Sequence, residues 1–520
     1  MKTKIWIISC ICMIGYPAFC QHIQSWGDQN NGTYINPVLN ADYSDPDVIR
    51  VDNKYYMVCS EFHYMGMTVQ ESDDMVNWRI AGRIYDKMDF PPYHEMKAYG
   101  SGSWAPALRY HDHKFWLYFC TPNEGLFMTT ATDAKGPWEP LKNVVHVAGW
   151  EDPCPFWDED GNAYLSRSKV GAGPIIIHKM SADGKSLLDE GVTIYTGPVA
   201  EGTKIHKRNG FYYLSIPEGG VAKGWQTILR SKNIYGPYEK RVVLETGSTE
   251  VNGPHQGSLL DTPNGSWWFI HFQLAGALGR VMHLQPMHWQ DDWPVIGVDI
   301  DRNGIGEPVK VWEKPDVGVV FPVSVPQSSD EFDRLELGLQ WQWNHNPVNN
   351  QWSLTQKKGW LCLNALKAPN LKQARNTLTQ KVMGDRSEAV IEMDASGMIS
   401  GQKAGLASLS NIFNSVGVVS KEGKLYLYFD ENGALVEEIP LSKSTIYLKV
   451  NIHISEKEAV FSYSLNNKTF NPIGHPFRVK WGDWKATRIG LFSYNENGDG
   501  GVAAFNYLRY TFDGPPVLVK

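Results

Sequence analysis

The chain reads as all-β, a five-bladed β-propeller followed by a C-terminal β-sandwich, and three observations across its 520 residues carry that expectation. One hairpin pattern occurs five times, helical periodicity is nearly absent, and beyond residue 325 the hairpins give way to a different run of short alternating strands.

The repeating unit is clearest at residues 43–60, YSDPDVIRVDNKYYMVCS. Two acids flank a proline, an apolar run follows, an Asp52-Asn53 turn reverses the chain and a second apolar run returns. The order recurs as WAPALRYHDHKFWLYF from Trp104, EDPCPFWDEDGNAYLS from Glu151, AEGTKIHKRNGFYYLS from Ala200 and NGPHQGSLLDTPNGSWWFIHF from Asn252. The second aromatics of the hairpins, Tyr56, Trp116, Tyr164, Tyr213 and Trp268, stand 60, 48, 49 and 55 residues apart. After each hairpin comes a further alternating run that ends in an Asp, Asn or Gly turn. Five small antiparallel sheets at that period predict a five-bladed propeller spanning residues 21–325. The Pro- and Ser-rich stretch VVFPVSVPQSSDEF marks a boundary. Beyond it, strands such as EAVIEMDASGM and KLYLYFDENGALVEEI, joined by Glu-Gly and Asn-Gly turns, predict a sandwich over residues 326–520.

Composition excludes several classes of function. Apolar residues are 42% and charged residues 20%, the proportions of a globular protein, with an aromatic load of 20 Trp and 24 Tyr. Residues 1–20, with Lys2 and Lys4 ahead of an apolar core, read as an export signal cleaved after Cys20, which points to the periplasm. Its removal takes the net charge from −7 to −9, because the segment holds two lysines and no acids. An acidic surface argues against nucleic acid as a partner, and no later run approaches the length of a membrane span. Cys59, Cys120, Cys154 and Cys362 lie mostly in apolar strand patterns and are expected as buried free thiols.

In a propeller the innermost strands all aim one end at the axis, so the residues opening each hairpin converge on one pocket. Asp45, Asp47, Glu151, Asp152 and Glu201 supply carboxylates there, joined by Trp104, His255 and Arg280. Acids, an arginine and aromatic walls suit glycoside hydrolysis, in which one carboxyl protonates the leaving oxygen and another activates water. A third carboxylate beside the acid would hold its proton on near neutral pH. Asp47 either shares the face of Asp45 or serves a strand-start hydrogen bond, Trp104 is either pocket wall or blade packing, and His255 either structural or functional.

The ordered set SDPDVIRVDNKYYM, GSWAPALRYHDHKFWLYF, EDPCPFWDEDGNAYL, EGTKIHKRNGFYYL and NGPHQG with GRVMHLQP resembles glycoside hydrolase family 43, and the resemblance extends into the C-terminal domain. It implies an inverting enzyme that releases arabinofuranosyl or xylosyl units, with Asp45 as general base, Glu201 as general acid and Asp152 tuning the acid. It further implies that Arg280 binds sugar hydroxyls, that Trp104 is an aromatic wall, and that a sodium or calcium ion near His255 would be structural, with no cofactor required. Ala107 stands where many members carry Asp, and Thr203-Lys204 where they carry Pro-His. These departures point to an exo-acting α-L-arabinofuranosidase trimming hemicellulose side chains, with β-xylosidase as the alternative and a non-catalytic sugar-binding propeller as the non-enzymatic one. A sandwich loop over residues 494–501 is the candidate for closing one side of the pocket.

Overall fold

A computed structural model of the protein describes residues 26–514, so the segment read as an export signal lies outside the described residues. Each of the five hairpin repeats becomes a four-stranded antiparallel sheet built from one contiguous stretch of chain. The strands nearest the axis are Asp47–Val51, Trp104–His111, Trp150–Trp157, Lys204–Arg208 and His255–Asp261. Trp78–Arg83, Lys142–Val145, Val192–Tyr195, Glu239–Leu244 and Trp293–Ile296 form the outer edges. Among the described residues the α-helix is limited to the single turn Pro91–His94.

The ring closes without exchanging a strand between its first and last blades. Ser258 of blade five accepts from the Val48 amide at 2.9 Å and donates to Asp47 at 3.0 Å. Ahead of blade one, residues 34–43 run along the third strand of blade five, where the Val38 and Tyr43 amides donate to the Met282 and Arg280 carbonyls at 2.8 and 2.9 Å. The buried Asn36 side chain donates to the Leu284 and Val309 carbonyls at 2.8 and 2.9 Å, satisfying backbone groups that no sheet ladder reaches.

Past the propeller, the chain crosses back and forms a sandwich of an eight-stranded and a seven-stranded sheet. Arg386–Asp394 and Thr445–His453 alternate buried and half-buried residues along their length, the period-two pattern of strands with one face in a core. The two domains share a continuous apolar core that includes Met65, Trp341, Trp343 and Leu378. Polar contacts at the seam converge on two buried acids. Glu61 pairs with Arg488 at 3.1 Å and Lys381 at 3.4 Å, while Asp42 accepts from the Arg280 amide at 3.0 Å and from the sandwich's Ala486 amide at 3.2 Å. Gly279, with φ +88°, is required here, because a Cβ would lie 2.4 Å from the Asp42 carboxylate. Through Asp42 the sandwich therefore touches the backbone of a candidate site residue. All four cysteines outside the signal segment are buried and unpaired.

Candidate active site

The five hairpins share a backbone feature that sets the site. Just before each innermost strand straightens, one residue adopts a left-handed conformation: Asp45 (φ 51°), Ala105 (φ 37°), Asp152 (φ 57°), Gly202 (φ 58°) and Gln256 (φ 57°). The pairing register slips at the same place in blades two, three and five, marking a bulge that re-aims the side chains. Asp45 and Asp152 are thus equivalent by position, as the Asp-Pro repeats suggest. Glu201 is not their equivalent: it stands one residue earlier, in register with Trp104, Glu151 and His255. Gly202 is glycine for two reasons, its positive φ and a Cβ that would lie 2.5 Å from Pro217.

These bends bring Asp45, Asp152 and Glu201 together. Asp45 is buried, with one oxygen accepting from the Ser60 hydroxyl at 2.6 Å and the other paired to the Arg280 guanidinium. Asp152 accepts from the Gly202 amide at 2.6 Å and the Ser168 hydroxyl at 3.2 Å. Burial pushes Glu201 up to about 8, with the charges of Asp152 and Asp45 adding to it and Arg280 opposing. Burial also raises Asp152, to about 6, and Asp45 adds to it, whereas the Gly202 amide, Lys204 and Ser168 hold it down. Both carboxyls are raised, and the Gly202 amide, Lys204 and Ser168 that hold Asp152 down make Glu201 the better placed of the two to keep a proton. The carboxyls of Glu151, Asp152 and Glu201 lie within 4.8 Å of one another, a spacing that suits shared protons or a cation.

Aromatic rings wall the pocket. The Arg280 guanidinium lies 4.8 Å from the Phe272 ring and 5.7 Å from those of Phe62 and Trp484, and its buried Nε has no protein partner among the described residues. Trp104 packs 5.7 Å from Phe62 and 6.5 Å from Trp484. The last of these walls comes from the sandwich. Gly482 and Lys485 exchange backbone hydrogen bonds of 3.1 and 3.0 Å around Asp483 (φ 51°) and Trp484 (φ 61°), the two-residue turn with both central residues left-handed. A tryptophan is a poor choice for that conformation, which points to a functional reason for its presence. Residues 494–501 do not fill this role: Tyr494 is buried in a sandwich sheet opposite Lys403, and the Gly500 amide donates to Ala365 at 2.9 Å.

Asp47 lies two residues past Asp45 and does a different job. It accepts from the Leu108 amide and Arg109 at 2.7 Å each and from Ser258, with Lys204 at 3.7 Å, closing the axis beneath the site. Beyond it a cavity of about 440 Å³ opens at the far mouth, where the Arg50–Asp261 and Lys207–Asp158 pairs leave little unbalanced charge for chemistry. His255 is fully buried, and burial lowers it to about 3. Its Nδ1 lies 2.7 Å from the Gly253 carbonyl, which makes Nδ1 the donor and leaves Nε2, without a hydrogen-bond partner among the described residues, as a lone-pair acceptor. That arrangement fits an ion held through water.

Comparison with known proteins finds two family models along the chain. Residues 34–294 match the model of "Glycosyl hydrolases family 43" and residues 329–511 that of "Beta xylosidase C-terminal Concanavalin A-like domain". A protein named "Putative beta-xylosidase" from Xylanibacter ruminicola is 54% identical over 90% of this chain and 88% of its own length. A "Beta-xylosidase" from Formosa agariphila is 38% identical over 94% and 92%. BoGH43B of Bacteroides ovatus, a "Non-reducing end alpha-L-arabinofuranosidase", is 29% identical over 64% and 65%. The solved structure of a "Bifunctional GH43-CE" protein of Bacteroides eggerthii superposes with a TM-score of 0.83 at 31% identity, covering 94% of this chain but 64% of that one.

Proposed function

The chain belongs to glycosyl hydrolase family 43, and from that premise we propose that it is an exo-acting, inverting β-xylosidase that removes terminal xylosyl units from hemicellulose fragments. The observation that carries the reaction is the opposition of two charge states in one pocket. Asp45 is ion-paired to Arg280, while burial and the neighbouring Asp152 and Asp45 charges shift Glu201 toward its protonated form. In this reading Asp45 takes a proton from a water that attacks the anomeric carbon, and Glu201 gives its proton to the departing oxygen in the same displacement. Asp152 keeps that proton on Glu201 until substrate arrives, and its hydrogen bond to the Gly202 amide fixes the acid's backbone. The free donors of Arg280 bind hydroxyls of the released sugar, between the Trp104 and Trp484 walls. His255 Nε2 would hold a structural sodium or calcium ion through water, outside the proton path. The N-terminal sequence favours action in the periplasm.

Sequence departures alone pointed to arabinofuranosyl release, but the Xylanibacter ruminicola and Formosa agariphila relatives, which match over 90% and 94% of this chain, carry xylosidase names. Arabinofuranosidase activity stays as the second reading, favoured by the Bacteroides ovatus relative. Ranking kcat/KM on 4-nitrophenyl β-D-xylopyranoside and 4-nitrophenyl α-L-arabinofuranoside decides between them, with the xyloside expected to lead. Proton NMR of the first-formed sugar from the xyloside should show the α anomer. A β-first product would rule out the single displacement.

A further inference from the structure

Glu151 takes no part in the reaction described above, yet in the repeat frame it is to blade three what Glu201 is to blade four. Each directly precedes the left-handed residue, Asp152 or Gly202. Glu151 is 6% exposed and has no cationic partner among the described residues. A buried carboxyl without a counter-ion costs stability, so the fold gains nothing evident by placing one there. One oxygen is already committed: Oε1 accepts from the Ala172 amide at 3.0 Å. Ala172 is itself left-handed, at φ 70° between Gly171 and Gly173, in the rim loop joining the second and third strands of the blade. That loop is open to solvent, with Val170 44% exposed.

The side of the pocket follows from the contacts. One carboxyl oxygen each of Glu151, Asp152 and Glu201 falls within 4.8 Å of the others, yet Glu151 is anchored to the rim loop through Ala172, whereas Asp45 is anchored to Arg280 and Ser60. Glu151 therefore stands between the acid and the rim loop. Glu201 must reach the bridging oxygen, so what extends past it toward the solvent rim is the sugar left behind. Burial and the Asp152 charge push Glu151 up to about 9, and a carboxyl that keeps its proton near neutrality can donate as well as accept.

We propose that Glu151 is a specificity-determining residue on the leaving-group side, hydrogen-bonding a hydroxyl of the sugar from which the terminal unit is cut. The assignment rests on the glycosidase reading above.

The test compares two substrates with the same terminal sugar: xylobiose, whose leaving group carries hydroxyls, and 4-nitrophenyl β-D-xylopyranoside, whose leaving group does not. If the arabinofuranoside proves the better substrate, the matching pair is 4-nitrophenyl α-L-arabinofuranoside and an arabinofuranosyl-substituted xylobiose. Glu151→Ala should lose about tenfold more kcat/KM on the oligosaccharide than on the aryl glycoside. Glu151→Gln, which keeps a donor and an acceptor in place, should hold the ratio within about threefold of wild type. Glu151→Asp withdraws the carboxyl by one methylene and should reproduce the selective loss if the alanine variant fails to fold, as its melting curve will show. Equal losses on both substrates would make Glu151 structural or part of the proton chemistry, and no loss on either would make it idle. Each of those results overturns the assignment alone. A wild type that cleaves neither pair overturns the glycosidase reading and Glu151 with it.

Discussion

Two rings of side chains surround the propeller axis, two residues apart in every blade, and they handle buried charge in opposite ways. The first, at the bends, contains Asp45 and Asp152, with Glu151 and Glu201 beside them. The second is Asp47, Ala107, Cys154, Lys204 and Ser258. In the second ring burial pushes Asp47 up, but Arg109, Lys204, the Leu108 amide and Ser258 outweigh it and hold the carboxyl below its usual value. In the first, burial and the neighbouring carboxylates outweigh Arg280 at Glu201 and Lys204 at Asp152, and both acids are raised. Similar depth with opposite compensation separates a plug that holds the blades from a site that holds a proton.

Substitutions in the two rings should therefore fail in different currencies of measurement. The largest effect is expected for Asp45→Asn, which removes the proposed base and should lower kcat on every glycoside by about 10³-fold or more, aryl substrates included. Glu201→Gln should cost about 10²- to 10⁴-fold on xylobiose and far less on an aryl glycoside with a good leaving group. Equal losses would place the acid elsewhere. In the second ring, Asp47→Asn strands Arg109 and Lys204 and should destabilise by about 3–5 kcal/mol in urea titration, without moving the alkaline limb of the pH–rate profile.

The pH dependence of stability sharpens the contrast. Glu201 has a folded pKa raised above its unfolded value of 4.5, so its contribution is fully present below 4.5 and is lost as pH rises through about 8. Glu201→Gln should then gain at least about 1 kcal/mol over wild type at pH 9 relative to pH 5, while wild-type kcat/KM falls along a limb near pH 8. Asp47 has a lowered pKa, so its contribution is present above its unfolded value of 3.8 and fades as pH falls through the lower folded one. Parallel slopes for the Glu201 and Asp47 variants would erase the distinction between the rings. The smallest effect is expected for Trp484→Gly, which suits the left-handed turn. It should raise KM about tenfold by removing a wall and change stability by no more than about 1 kcal/mol.

Much of this was legible in the residues. Five hairpins, each with a turn and alternating strands, spelled the propeller, because local patterning decides which faces are buried. The pairs Asp45-Pro46 and Asp152-Pro153, then Glu201 and Arg280, marked the site by where they fall in the repeat. Aligning the hairpins by Asp-Pro hid the offset of Glu201, which shows only in the left-handed residue of each blade. A signal was present in Gly202, the glycine in that frame. Trp484 was out of reach, since Trp481-Gly-Asp-Trp484 reads as an ordinary polar turn and the candidate loop lay further along the chain.

By itself the amino-acid order determined the elements, the number of blades and the acids that open them, because periodicity and turn chemistry act over a few residues. Only the folded chain decided which of those acids go unpaired and which aromatic, nearly four hundred residues past Trp104, faces them. The physical reason is that a carboxyl's protonation state depends on the burial and charges gathered around it, and those come from other blades and from the second domain.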